Sequence, residues 1–212
     1  MRRLLLAATG ALLIAGTGAL TVPASAATTC TNAAPLLSGS VSGPVTVPAG
    51  VTCIIDFATV SGAVNVSPGG RLDLANSTVN GSVNSDRAGT QPNYPNFSIA
   101  ICNTHITGSV NITRATSNVI ISDDEFGCSG NTVDGSVTLS SNAVGPELLN
   151  NDIEGSVTVN SNQGSTHDED ASAEVGGNDI DGSLNCAGNV NGVVTEGTNN
   201  TAAVKTGQCT KL

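Results

Sequence analysis

The sequence predicts an all-β chain: a single-stranded, right-handed parallel β-helix, or β-solenoid, of roughly seven coils with disulfide-stapled ends. Three observations predict it. A short phrase recurs, as NTVDGSVTL at 131–139, NDIEGSVTV at 151–159 and NDIDGSLNC at 178–186. Inside each phrase apolar and polar residues alternate with period two, the mark of a strand with one buried face. The six cysteines fall into neighbouring pairs separated by about one repeat.

The first element is a leader. MRRLLLAATGALLIAGTGALTVPASA sets Arg2 and Arg3 before an apolar stretch that closes on Ala24-Ser25-Ala26, the small-x-small pattern of a signal-peptidase site. This predicts a signal peptide over 1–26 and a secreted, extracellular domain over 27–212. Gly10, Gly16, Gly18 and Pro23 argue against a membrane anchor, and no second apolar span follows, so no integral membrane association is expected. Cleavage leaves 186 residues, enough for one domain with a core of its own. Without Arg2 and Arg3 the seven basic side chains fall to five against seventeen acidic, a formal charge of −12. Phosphate-rich partners need Lys and Arg to displace their counterions, so nucleic acid is excluded as a partner class. With no Trp, one Tyr and three Phe, the core must be aliphatic.

The coils come next. The glycine of each phrase serves as a marker, at Gly43, Gly62, Gly81, Gly108, Gly135, Gly155 and Gly182, with gaps of 19, 19, 27, 27, 20 and 27 residues. A period near 20 with local additions predicts stacked repeats. Positions −2, +2 and +4 from the marker are apolar, as in Val60, Val64 and Val66 or Ile153, Val157 and Val159. Stacking along an axis lets each apolar row bury against the rows above and below, with strands about 4.8 Å apart. Further strands that close each coil are predicted at 51–55, 71–74, 98–101 and 118–121. Longer coils carry TQPNYPNF, DDEFGCSG and QGSTHDEDASAEV as outward loops. Parallel crossovers are right-handed in nearly all sheets, which sets the expected coil sense.

The cysteine gaps 30 to 53, 102 to 128 and 186 to 209 are 23, 26 and 23 residues. Residues one coil apart lie about 5 Å apart, within disulfide range. Of fifteen possible pairings, coil geometry selects Cys30–Cys53, Cys102–Cys128 and Cys186–Cys209. A zinc set of Cys102, His105 and Cys128 lacks a paired C-x-x-C and is set aside.

The G-S-V-x-[VL] coils, the leader and the Asn/Gly/Thr-rich ending GNVNGVVTEGTNNTAAVKTGQC resemble small secreted bacterial right-handed β-helix proteins, similar in fold to the pectate-lyase-like superfamily. The likeness covers nearly all of 27–212, but its motifs are structural. It implies the fold and no established activity. The clustered acids and basic residue of the superfamily's enzymes are not matched here, so no catalytic residue is implied.

Outward positions carry the candidate chemistry. Position +1 gives a serine row, Ser82, Ser109, Ser136, Ser156 and Ser183, and position +3 gives Thr or Asn. Both suit hydrogen-bonded ladders on an exposed strand. Positions −1 and −3 gather an acidic corner of Asp134, Asp152, Glu154, Asp179 and Asp181. Like charges on adjacent strands repel, and a hard cation such as Ca²⁺, which takes carboxylate oxygens, would relieve them. Calcium is therefore the one cofactor with a candidate site. NDIDG is not an EF-hand, because Gly177 stands where the first ligand belongs. Tyr94 and Phe97, in the TQPNYPNF loop, are the candidate binding residues.

The functional expectation is a noncatalytic secreted structural or surface-interaction protein. The alternative is an extracellular polysaccharide or cell-wall binding module, assisted by calcium. A polysaccharide-active enzyme ranks third: carboxylates are present, but their spacing follows from the repeat, and aromatic platforms are scarce. A Ser-His-Asp site would need His105 or His167, and no nucleophile-elbow phrase accompanies them.

Overall fold

The computed structural model describes residues 26–93, 96–123, 127–164, 173–195 and 197–212. Among these there are strands and no helix, and every strand–strand ladder is parallel. The chain winds into a solenoid-like stack with three strips of strands. The recurring phrase supplies two of them. The first holds Thr78–Val79, His105–Ile106, Thr132–Val133 and Asp152–Ile153. The second holds Val45–Val47, Val64–Val66, Val83–Asp86, Val110–Thr113, Val137–Ser140 and Val157–Asn160. The third holds Arg71–Ala75, Phe97–Cys102, Asn118–Ile121, Glu147–Leu149 and Ala173–Gly176. It matches the additional strands expected from the sequence, except that Phe97 and 173–175, assigned to loops, are strand.

The register is the one that the markers imply. Val45, Val64, Val83, Val110, Val137, Val157 and Leu184 stand side by side, all fully buried. A second apolar row runs through Leu37, Ile55, Leu74, Ile101, Ile121, Leu148 and Val175 on the third strip. Parallel strands of β-branched residues meet face to face inside the coil and exclude water. One position departs: Ser85 stands between Val66 and Ile112, buried, with no hydrogen-bond partner for its hydroxyl.

The marker glycines are required by close approach. Gly108, Gly135, Gly155 and Gly182 each donate an N–H to the glycine of the preceding coil at 3.1–3.2 Å. A Cβ on Gly155 would lie 2.5 Å from the carbonyl oxygen of Gly135, nearer than side chains approach backbone. The serine row beside them is a ladder: the N–H of Ser109, Ser136, Ser156 and Ser183 each donates to the hydroxyl of the preceding serine at 3.0–3.2 Å.

Two asparagine ladders line the interior corners. Thr104 N–H donates to Asn131 Oδ1, Asn131 to Asn151, Asn151 to Asn178 and Asn178 to Asn200, at 2.9–3.2 Å. On the other side Ala115, Asn142, Asn162 and Asn189 donate in the same way, and Gln208 Oε1 accepts the last bond. Most of these corners turn through a residue with positive φ just before the ladder, such as Asn103 (49°), Asn150 (58°) or Ser141 (57°). Asn tolerates that backbone better than most residues. The ladder carboxamides satisfy N–H groups that the turn removes from the strand pairing.

The three disulfides join Cys30–Cys53, Cys102–Cys128 and Cys186–Cys209, with Cα–Cα distances of 5.6, 5.2 and 5.3 Å. The pairing follows coil spacing, but the partners are not register neighbours. Cys186 stands beside Val159 and Gly207, so Cys209 reaches it from two residues further along. Cys102 stands beside Ala75, and Cys128 comes from the loop that follows Ile121. Persistent disulfides indicate an oxidising compartment. No helix among the described residues is long and apolar enough to cross a membrane.

Candidate functional site

The third strip builds a groove of about 360 Å³, at the lower end of small-ligand sites. Its floor follows from residue size. Asp73 is in register with Ala100 and Ala75 with Cys102. The alanines on the outer side leave a depression. Phe97 forms one wall and the Cys102–Cys128 bridge with Gly127 the other. Asn76 and Asn103 edge it, their corner backbones at positive φ. Asn103 Nδ2 donates to Asn76 Oδ1 at 3.3 Å, and Asn76 Nδ2 donates to Asp56 Oδ1 at 3.0 Å.

Arg71 orders this surface from below. Its side chain is 2% exposed, its guanidinium lies 3.8 Å from the centroid of the Phe97 ring, and one nitrogen lies 3.8 Å from Asp73 Oδ2. Cation–π contact fixes the ring's position. Burial pushes the Asp73 carboxyl above its ordinary range; Arg71 opposes that rise, and the nearby Asp56 charge adds to it. The groove therefore offers a ring edge, a half-buried carboxyl and amide groups. That set suits a neutral, hydroxyl-rich ligand better than an anion.

Of the two predicted binding residues, Phe97 lies in this groove and Tyr94 lies outside the described residues. His167 and Asp170 also lie outside them.

The acidic residues form columns. Asp152 and Asp179 are register partners on the first strip, following Thr132. Ile153 pairs with Val133 and with Ile180, which puts Asp134, Glu154 and Asp181 in successive rows beside them. Asp152, Glu154, Asp179 and Asp181 are exposed and Asp134 half-buried. Among the described residues no three His, Cys, Asp or Glu side chains converge as a metal site would require. Asp134 is instead engaged by a neighbour: its Oδ1 lies 2.7 Å from His105 Nε2. His105 stands one row back, in register with Thr132.

Sequence reasoning missed the ladders and the Arg71–Phe97 stack. The ladders had a signal. Asn131, Asn151 and Asn178 recur four residues before the marker, and Asn142, Asn162 and Asn189 recur seven after it. The stack had none, because its partners sit at the starts of strands in different coils whose sequences are unlike.

No family model matches the chain, and no curated protein or solved structure is significantly similar to it.

Proposed function

We propose that this chain is a noncatalytic secreted protein that acts as a rigid extracellular rod or surface-interaction scaffold. One observation carries the reading. The residues that recur from coil to coil are consumed by the scaffold itself: glycine bonds glycine, serine bonds serine, and asparagine bonds asparagine. A repeat built to display a reactive constellation would leave such groups free; here the glycine, serine and asparagine rows satisfy one another, and the acidic columns stay exposed. The same reading includes cleavage after Ala26, a right-handed sense, roughly seven coils and a place near the pectate-lyase-like superfamily in fold. The acidic surface accords with no nucleic acid partner.

The groove at Phe97 favours a second reading, an extracellular polysaccharide or cell-wall binding module. A polysaccharide-active enzyme stays behind both. Cosedimentation of the secreted, oxidised protein with purified cell wall and insoluble polysaccharides separates them, run with calcium and with chelator. The rod predicts no saturable binding. The module predicts saturable binding that falls roughly tenfold or more in Phe97→Ala. Loss of binding in chelator would assign calcium to the acidic columns, and unchanged binding would remove it. Release of soluble sugar during the assay would overturn the noncatalytic reading.

A further inference from the structure

One corner of the stack departs from its own pattern. After the third strip the chain turns through a residue with positive φ, which in five successive coils is Asn76, Asn103, Gly130, Asn150 or Gly177. Asn and Gly tolerate the left-handed region best. One coil earlier, in register with Asn76, the same corner holds Phe57 at a φ of 49°. A bulky side chain there is an outlier, and such outliers cluster at ligand sites. Packing does not compensate for it. Phe57 is 71% exposed, more than any other large apolar side chain among the described residues. The strand before it is one residue short at this point: the register shifts between Leu37 and Gly39, so Ser38 alone faces Asp56 and Phe57. A bulge of that form re-aims a side chain.

Phe57 stands one row beyond the rim of the groove at Phe97. Asn76 and Asn103 edge that groove, and Asn76 Nδ2 donates to Oδ1 of Asp56, the residue before Phe57. Asp56 accepts no other hydrogen bond among the described residues, which leaves its second oxygen for a ligand. By strand rise and row spacing the two rings lie roughly 20 Å apart, with Asp73 and the asparagines between them. Charge and shape select the occupant. Asp56 and Asp73 put carboxyls on this face, while Arg71 is buried against Phe97 and Asp73. An anionic chain is therefore repelled. A neutral ligand fits if it donates hydroxyl hydrogens to carboxylates and lays an apolar C–H face on an aromatic ring. A pyranose does both. One sugar cannot touch both rings, whereas a chain of several can.

We propose, on the binding-module reading, that Phe57 is a ligand-contacting platform that extends the Phe97 groove into a site for a neutral polysaccharide chain, which crosses the rows between the two rings. The strained corner then serves the ligand and not the fold. Phe57→Asn installs the residue that the next two coils use at that corner, so it removes the contact and leaves the fold as stable or more so.

NMR titration of the secreted, oxidised protein with hexasaccharides of glucose, N-acetylglucosamine and mannose tests this, with a hexagalacturonate as the anionic counterpart. The expected result is saturable binding of at least one neutral hexasaccharide that shifts the ring resonances of both Phe57 and Phe97, and weaker binding of the matching disaccharide. Phe57→Asn should weaken hexasaccharide binding roughly tenfold or more, with Tm unchanged or raised. Phe57→Gly, the other residue type of that corner, decides if the Asn variant fails to fold. Full-affinity binding in the variants would overturn the role of Phe57 and leave the module standing. A lower Tm in both would show the ring to be structural and overturn that role in the same way. Binding of the anionic chain alone would overturn the neutral ligand class. No binding of any hexasaccharide, neutral or anionic, would overturn the module reading and the proposal together.

Discussion

Asn151 shows at the scale of one residue how the stack is held. Its side-chain oxygen accepts the N–H of Asn131 at 3.0 Å and the amide of Asn131 at 2.9 Å. Its own amide donates to Ile121 and Leu149 carbonyls and to Asn178 Oδ1 at 2.9–3.0 Å. The residue is 2% exposed, so water cannot replace these partners. Each buried polar group left unpaired costs about 1–3 kcal/mol. Asn151→Ala strands several, and we expect a loss of about 3 kcal/mol or more in urea unfolding. A loss under about 1 kcal/mol would mean that the ladder relaxes around the gap and is not a principal source of stability.

At the scale of elements, the third strip carries a pH signature that the others lack. Asp73 holds its proton more tightly in the folded chain than a carboxyl of ordinary value 3.8, chiefly because it is partly buried. Its contribution to stability is therefore full below that value and is lost as pH rises through the raised folded value. Asp86, on the second strip, is the opposite case. Its carboxyl is lowered first by the hydrogen bond from Arg114, whose Nε lies 2.6 Å away. Its contribution is present above 3.8 and is lost as pH falls through the lowered folded value. The two windows lie on opposite sides of the ordinary value. Thermal melts across a pH series should show that Asp73→Asn removes a decline above it and leaves behaviour below it unchanged. An unchanged slope above that value would show that Asp73 is solvated like a surface carboxylate.

At the scale of the whole molecule, each row contacts chiefly its neighbours, so stability is distributed along one axis. The end rows have one neighbour each, and two of the three disulfides, Cys30–Cys53 and Cys186–Cys209, lie there. Closing loops of that size contributes about 3 kcal/mol per bridge in the chain-entropy account. Reduction should thus loosen the ends before the centre. Hydrogen exchange on the reduced protein should show protection falling first around Val45 and Leu184, with Val110 and Val137 still protected. Uniform loss would mean that the stack unfolds as one cooperative unit.

The sequence by itself determined the register of this protein. A period-two pattern around a marker glycine leaves little choice, since a slip of one residue would turn every valine of the row from Val45 to Val157 outward. It determined the cysteine pairing for a related reason: coil spacing brings those residues within a few ångströms of each other. Its reach ended where unlike segments meet. Arg71 and Phe97 lie 26 positions apart on neighbouring strands, and only the lateral packing of the third strip brings guanidinium over ring. Whether Asp134 faces the other carboxylates or His105 depends on side-chain reach between rows, which the repeat leaves open. Which strands stand at the two ends was likewise decided by tertiary structure, because an edge exists only where stacking stops.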